Sequence, residues 1–595
     1  MNKFFSLLFL VAAFLCPFSG GLFESRPHLF RSWLLLPLIF AGICTIMGLG
    51  KQNLNWRKLP LSLFLFYGWC SVTLLWAPSL YQGLTTLVPW FGSLGVMFLI
   101  LFLFRTRRDL SQLSLMIFLS GFVVVIIGLL QKWFGFDLYM QASPPSSTLG
   151  DKFLAASYAA LTLPFGLLLL KKEVKLWGQI LFYSGLIFTS LYLHVIASTG
   201  VWLVIEFVFL VIIILLLIQK NALVFKRMVI ALALMVVGLG SINFYEKNRI
   251  VEFSQKISHL QKRPVNALEQ EGWERVPVWI NGLSLFPKYL IQGVGVGNWR
   301  AASNRAHNKY IINTEFFNHL HNDWLEGLIT FGLIGFLLLG YFWWTLFKKI
   351  KFILDQGCSE SALLGSASFA SLLGLLFMSF FSYPFLSFSF LILAGVCWGI
   401  LILVEAEIKK EILVAQGERF FLNVSGLSFL FFLTFLSGYW GYRLVRAEAH
   451  HYRARYYTGL GEAHGAKGYK NRGLTHFESS YQYNPYDWWN LTQWAESLKT
   501  FGLRDIADKK FAHAADLMPE DFHLLRLFAR HYLFSGRPEK AIEIGERIIR
   551  SSPHYSYGYW IVGRSNFVLK RKDRAKKFFL EAKARDPEIH LPKLD

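Results

Sequence analysis

Residues 272–300 read GWERVPVWINGLSLFPKYLIQGVGVGNWR, and residues 318–335 read NHLHNDWLEGLITFGLIG, which runs directly into an apolar helix. Together with the sequence back to about residue 245 they form the only long polar loop between the first apolar segment and the last. Groups able to act on a polar substrate are concentrated here. Because apolar sequence long enough to cross a bilayer flanks the loop on both sides, any such chemistry takes place beside a membrane.

The flanking sequence supports that reading. The 595 residues are 54% hydrophobic, include 57 Phe and have a mean hydropathy of +0.41, far more apolar than a soluble protein of this length. Apolar runs of about 17–23 residues, the length of a membrane helix, occur at roughly 4–19, 31–50, 59–76, 84–104, 112–130, 153–170, 176–197, 200–218, 226–244, 324–346, 361–381, 385–403 and 420–440. The first follows Met1-Asn2-Lys3, ends at Cys16-Pro17 and has the form of a cleavable signal peptide. The expected count is therefore 12–13 spans.

Alternate connections carry the positive charge: Lys51, Arg57 and Lys58; Arg105, Arg107 and Arg108; Lys171, Lys172 and Lys175; Lys220, Lys226 and Arg227; Lys348, Lys349 and Lys351; Lys409, Lys410 and Arg419. The intervening connections 77–83, 198–200 and 382–384 contain no Lys or Arg. The positive-inside rule places the six basic loops in the cytoplasm and puts both the long loop and everything after residue 441 outside it. It also accounts for the net charge of +22 without a nucleic-acid partner. All five cysteines lie in apolar segments or in one short basic loop, which excludes a disulfide framework or cysteine zinc site in the exterior regions.

The C-terminal region is repetitive. Pro485, Pro519, Pro553 and Pro587 recur every 34 residues, with Ala507, Ala541 and Ala575 in register. Phe477, Phe511 and Phe579 share another phase, interrupted by Gly545. A 34-residue period with small residues at helix crossings and Pro after the second helix resembles tetratricopeptide repeats, stacked helical hairpins with a binding face but no chemistry of their own. A degenerate unit is expected near Arg446. The whole is thus an all-α polytopic membrane protein with an α-solenoid: membrane helices at 1–244 and 323–440, a long loop at 245–322 and repeats at 446–595.

Within the loop, His321 precedes Asn322-Asp323-Trp324-Leu325-Glu326, where Asp323 is expected as N-cap and Glu326 at the third helical position. A helix N-terminus favours neutral imidazole and a nearby anion, which suits a general base beside a phosphate. The same position also suits a histidine that only hydrates a helix end. His307, His319, His321 and Asp323 match no standard zinc-hydrolase spacing such as HExxH, and no metal is expected. Arg275 lies one helical turn before Trp279, and a guanidinium fork suits a diphosphate. Arg249, Arg263, Arg300, Arg305 and Lys309 make the loop broadly basic, as a solvated or headgroup-facing surface would also be. Gly293, Gly295 and Gly297 lack the GK[ST] and preceding strand of a phosphate loop, and read as a turn flexible around substrate.

Arg275, Trp279, Pro287, Gly293-Val294-Gly295, Asn298, then His321, Asn322, Leu325, Glu326 and Gly332-Leu333-Ile334-Gly335 resemble the signature of the O-antigen ligase and polymerase superfamily, membrane glycosyltransferases that use polyprenyl-diphosphate-linked glycans. A weaker match runs from Ser147-Thr148-Leu149-Gly150 to Ala155, with Asp151-Lys152 in place of an Asn-containing pair. Thr199 stands where members often carry Arg.

The resemblance covers about residues 30–405. It implies a bacterial inner-membrane enzyme with a periplasmic loop and repeat domain, an activated donor and no cofactor. In that frame His321 is the base and Arg275 the diphosphate clamp. Arg300, Arg249, Asn322, Glu326 and Asn298 are implied as substrate-binding residues, Arg249 or Arg300 standing in for the missing Arg at 199. Attack at the anomeric carbon implies inversion. The acceptor is a glycan, lipid or protein, so ligase, polymerase and protein O-oligosaccharyltransferase all remain open, with a protein partner on the repeats. A non-catalytic transporter or scaffold is the alternative from another class, and it requires that His321 be dispensable.

Overall fold

The computed structural model describes residues 2–15, 17, 52–54, 59–104, 106–136, 145–196, 198–245, 275–303, 319–411, 414–416, 424–465, 467–587 and 589–592. The expected span at 31–50 and Arg249 lie outside these residues. In chain order the elements are α1 (Asn2–Leu15), β1 (Gln52–Leu54), α2 (Leu61–Val72), α3 (Leu80–Leu103), α4 (Arg107–Phe134), α5 (Lys152–Thr162, continued by a 3-10 turn to Leu170), α6 (Leu176–Ile196), α7 (Thr199–Ile218) and α8 (Ala222–Tyr245). The long loop contributes α9 (Arg275–Tyr289) and α10 (Trp299–Ser303). There follow α11 (Asp323–Gln356), α12 (Ser359–Met378), α13 (Phe388–Ile408), β2 (Val414–Gln416) and α14 (Val424–His464). The remaining helices are α15 (Lys467–Tyr483), α16 (Trp488–Thr500), α17 (Arg504–Leu517), α18 (Phe522–Phe534), α19 (Pro538–Ser551), α20 (Ser556–Val568) and α21 (Lys572–Arg585).

The protein is an all-α polytopic membrane protein. Among the described residues, eight helical segments are long and apolar enough to cross a membrane: those at 80–103, 107–134, 152–170, 176–196, 200–218, 323–356, 359–378 and 388–408. The chain divides into two compact units. One comprises Met1–Phe66, Val88–Lys262 and Leu338–Tyr439; the other comprises Tyr67–Leu87, Arg263–Leu337 and Trp440–Asp595.

In the first unit the described residues of the basic connections gather at one end. The three-residue strands β1 and β2 pair there. Arg107 bridges to Glu407 and donates to Cys358 Sγ at 2.8 Å, Lys171 pairs with Glu360 at 3.1 Å, Lys349 and Lys409 both meet Glu405, and Arg227 donates to the carbonyls of Leu170 and Lys171. A common end is what the alternation of charge along the sequence requires. Small residues on α12 allow close helix contact: a Cβ at Gly374 would lie 2.4 Å from a Val208 methyl, and one at Gly365 would lie 2.8 Å from Ile353. Asp151, where the resemblance leads one to expect an Asn-containing pair, serves as a helix cap. Its carboxylate caps α5, accepting from Phe153 and Leu154 N–H at 2.8 and 3.0 Å. The preceding turn is pinned by Gln131, whose amide accepts from Ser147 N–H at 2.6 Å and donates back to its carbonyl at 3.2 Å.

In the second unit the hairpin period is directly visible. Helices α16, α18 and α20 begin at 488, 522 and 556, and α17, α19 and α21 at 504, 538 and 572, each series stepping by 34 residues. Ala507, Ala541 and Ala575 are fully buried at the crossings, and Phe477, Phe511 and Phe579 fill the layers between hairpins. At the interrupted phase, a Cβ on Gly545 would lie 2.8 Å from Val562, so the neighbouring helix takes the space of the missing ring. The degenerate unit expected near Arg446, as a junction between the last span and the repeats, falls inside one helix: α14 runs unbroken for 41 residues from the expected last span, and its second half packs on α15 through His451 against Phe477.

Four repeat histidines are held below the ordinary imidazole pKa, in each case chiefly by burial. At His523, pushed down to about 4, the Arg526 guanidinium adds to it. At His531 burial outweighs the Asp508 partner at 2.6 Å. His450 faces His476 at 3.0 Å, and both are depressed. Each of these groups takes up a proton less readily in the folded protein than in the unfolded chain. Their contribution is therefore flat above about pH 6.5 and turns against folding as pH falls below it, down to the folded pKa. By pH 5, His523 alone costs on the order of 2 kcal/mol. Thermal unfolding of the detergent-solubilised protein, followed by circular dichroism, is expected to shift down by several degrees between pH 7 and pH 5. His523→Gln should shrink that shift, and an equal shift in both proteins would contradict the assignment.

Candidate functional site

The site is built on α9 and on the start of α11, both in the second unit. The face of α9 formed by Val278, Gly282 and Leu285 is apolar and buried against Leu320 and Ile329. A Cβ at Gly282 would lie 3.1 Å from both Leu320 methyls. Leu320 is fully buried, and its carbonyl accepts from the Trp279 indole Nε1–H at 2.9 Å. This anchors the middle of His319-Leu320-His321 and leaves both flanking imidazoles partly exposed. Arg275 is the first residue of α9, one turn before the tryptophan that holds this anchor.

The segment is locked on its other side by Glu326. One carboxylate oxygen lies 3.2 Å from His319 Nδ1, and the other accepts from Leu320 N–H at 3.0 Å. The expected cap is corrected: the N-cap is Asn322, not Asp323. Asn322 Oδ1 accepts from Trp324 and Leu325 N–H at 3.1 and 3.0 Å, and its carbonyl accepts from Glu326 N–H at 3.0 Å. Glu326 therefore falls one residue past the capping-box position and clamps the preceding turn instead. Between buried Leu320 and capping Asn322, His321 is held at φ 52, a left-handed conformation that costs a non-glycine residue about 1–2 kcal/mol. Such strain persists only where its surroundings impose it. Here a buried leucine, a carboxylate clamp and a cap do so.

The helix that follows is broken. Gly332 in α11 has φ 68 and ψ −175, a region open essentially to glycine alone. The backbone groups released by the break are taken up by the glycine-rich turn. Val294 and Gly295 N–H donate to the carbonyls of Ile329 and Thr330 at 2.9 and 2.8 Å, and Leu333 N–H donates to Leu290 carbonyl at 2.7 Å. Two indoles complete the junction, Trp69 donating to Phe331 carbonyl at 2.8 Å and Trp76 to Gly293 carbonyl at 3.1 Å. The turn is accordingly a buried wedge in a discontinuous membrane helix, which corrects the expectation of a loop flexible around substrate. Half-helices of this kind are tolerated at membrane depth where protein satisfies the backbone.

Of the residues expected to bind substrate, Asn298 is fully buried. Its amide accepts from Ser79 N–H at 2.8 Å and donates to the carbonyls of Ser79 and Val296 at 3.2 and 2.9 Å, so it sets the shape of the turn. Arg300 donates from Nε to the buried carboxylate of Asp521 at 2.7 Å and lies 4.3 Å over the Trp488 ring; it ties the loop to the repeats. Asn322 and Glu326 position His321. The sequence reading missed Trp69, Trp76 and the break at Gly332. Two tryptophans and a short connection without Lys or Arg were the available signal, but it names no partner.

Among curated proteins no significant match is found. Among solved structures, the chain is similar over 23% of its length to 77% of a MamA fragment, residues 41 to the end, from Desulfovibrio magneticus RS-1, at 18% identity and a TM-score of 0.20. A MamA RS-1 ArsTM double mutant matches over the same shares at 17% identity and the same score. At this score neither carries an argument. Residues 184–340, from within α6 to within α11 and including Trp279, the glycine turn, His321 and the break at Gly332, match the O-antigen ligase family model.

Proposed function

We propose that the protein is an O-antigen ligase-like glycosyltransferase, which moves a glycan from a polyprenyl-diphosphate carrier to an acceptor hydroxyl at the outer face of a bacterial inner membrane. The observation that carries this reading is the strained, clamped backbone of His321 at the start of a discontinuous helix, within the stretch that matches the family model. The imidazole of His321 takes the acceptor proton as the acceptor oxygen bonds to the anomeric carbon. The bond from that carbon to the diphosphate breaks, its electron pair leaves on the diphosphate oxygen, and configuration inverts. Arg275 receives the developing charge as a paired hydrogen-bond donor. The donor is already activated, so the residues present suffice for the step. The 34-residue hairpins are read as tetratricopeptide repeats on the same outer side.

His321→Ala, compared with wild type in the native host at matched membrane abundance, is expected to lower transfer by about 10²–10⁴-fold, the usual worth of a general base. Surface glycan should fall while the lipid-linked donor accumulates. Loss of sugar from a distinct acceptor marks a ligase, and loss of chain length marks a polymerase. Unchanged glycan with an unchanged donor pool would overturn the reading in favour of a transporter or scaffold.

A further inference from the structure

The first helices of three consecutive hairpins, α16, α18 and α20, place a planar ring at one register position: Trp489, His523 and Tyr557, each 34 residues from the next. The Trp489 and His523 rings are 6.0 Å apart. Arg526 lies on the same surface, with Nη2 3.2 Å from His523 Nδ1 and its guanidinium carbon 5.8 Å from the Tyr557 ring centre. Tyr557 in turn stacks on Trp560 at 5.2 Å. One helical turn beyond Arg526, Arg530 is exposed. Neither α18 nor α20 contains an Asp or Glu, so no carboxylate on these two helices offsets the guanidinium charge. The row continues to the loop, since Arg300 stacks over Trp488, with its guanidinium paired to the Asp521 carboxylate at the start of α18.

We propose that this ladder of rings and guanidinium groups binds a carboxylate-bearing glycan strand, an inference that rests on the glycosyltransferase reading above. Pyranose rings present apolar C–H faces that lie flat on aromatic rings, and a sugar carboxylate matches the two-pronged donor of Arg. Hairpins that stack at a fixed helix spacing of about 8–10 Å present the same element once per repeat. A regularly repeating polymer suits that periodicity, and each sugar unit can use the next ring. The ladder would hold the strand beside the loop segment that carries Arg300 and the glycine turn.

The test titrates purified full-length protein in detergent with an oligogalacturonate, a neutral malto-oligosaccharide of equal length and an oligoglutamate of equal charge, followed by tryptophan fluorescence and calorimetry. The oligogalacturonate is expected to bind about tenfold or more tighter than either comparator. The double variant Arg526→Gln with Arg530→Gln should weaken it by a similar factor, as loss of charge-assisted bonds implies, with an unfolding midpoint close to wild type; Tyr557→Leu should also weaken it, at some cost in stability because the ring packs on the hairpin core. Should the double variant be destabilised, exposed Arg530→Gln alone decides the point. His321→Ala should bind the oligosaccharide as wild type does, so that failure of the ladder and failure of the catalytic reading show in different proteins. Absence of binding by wild type, equal binding of the neutral sugar or the peptide, or wild-type affinity in the arginine variants would each overturn the proposal.

Discussion

Gly332→Ala is expected to abolish transfer and to destabilise the protein by on the order of 2–6 kcal/mol, the sum of backbone strain and forced overpacking. A Cβ at this position would lie 2.3 Å from the Ile291 carbonyl oxygen and 2.5 Å from Gly293 N. Both are main-chain atoms that cannot swing aside. The converse holds across the junction, where a Cβ on Gly293 would lie 2.3 Å from Thr330 oxygen, so the two glycines must be read as a pair. The substitution would force α11 either to straighten, which expels the turn, or to shift its first segment, which carries Asn322 and the clamp on His321. Gly340→Ala in the same helix meets nothing within 4 Å, and should be neutral or stabilising by about 0.5–1 kcal/mol. The measurement is thermal unfolding in detergent together with glycan transfer. If Gly332→Ala matched Gly340→Ala in both, the break would have no part in holding the site.

The contrast between these two glycines marks the boundary of what the sequence discloses. The hairpins were legible because prolines at a fixed period of 34 state their own register, and the spans because apolar runs of membrane length are uncommon in chains that fold in water. The segment TFGLIGF instead reads as uninterrupted apolar helix. Its break depends on backbone offered by Gly293 to Gly295, some 40 residues earlier in the chain. The cap was misassigned for a similar reason. Asn322 and Asp323 are both good capping residues, and the choice is made by Leu320, whose burial against α9 fixes where the helix starts. His321 and Arg275 were legible as residue types in a pattern, but the left-handed strain at His321 was not. Arg300 read as one basic residue among several in the loop, since nothing local announces a partner 221 positions away.

That partner makes Asp521→Ala the second large effect. Asp521 is fully buried and works twice: one oxygen accepts from Leu524 N–H at 2.9 Å as the N-cap of α18, and the other takes Arg300 Nε at 2.7 Å. Alanine removes the cap, worth about 1 kcal/mol, and leaves a largely buried guanidinium without its carboxylate, a loss of about 3–5 kcal/mol when a buried pair is broken from one side. Arg300→Ala should cost less. The carboxylate it abandons still faces the N-terminus of α18, where the helix dipole favours negative charge. Asp521→Asn keeps a capping oxygen and should fall between wild type and alanine. The pair joins the loop that carries Asn298 and the glycine turn to the hairpins, so its loss should free the loop as well as weaken the repeats. Limited proteolysis would then cut after residue 300 faster in Asp521→Ala than in wild type, and transfer would fall even at temperatures where the hairpins remain helical by circular dichroism. If the double variant Asp521→Ala with Arg300→Ala lost as much stability as the two single losses added together, the two charges would be independent of one another. The loop and the repeats would then be joined by packing alone, with Trp488 beneath Arg300 as the next residue to remove.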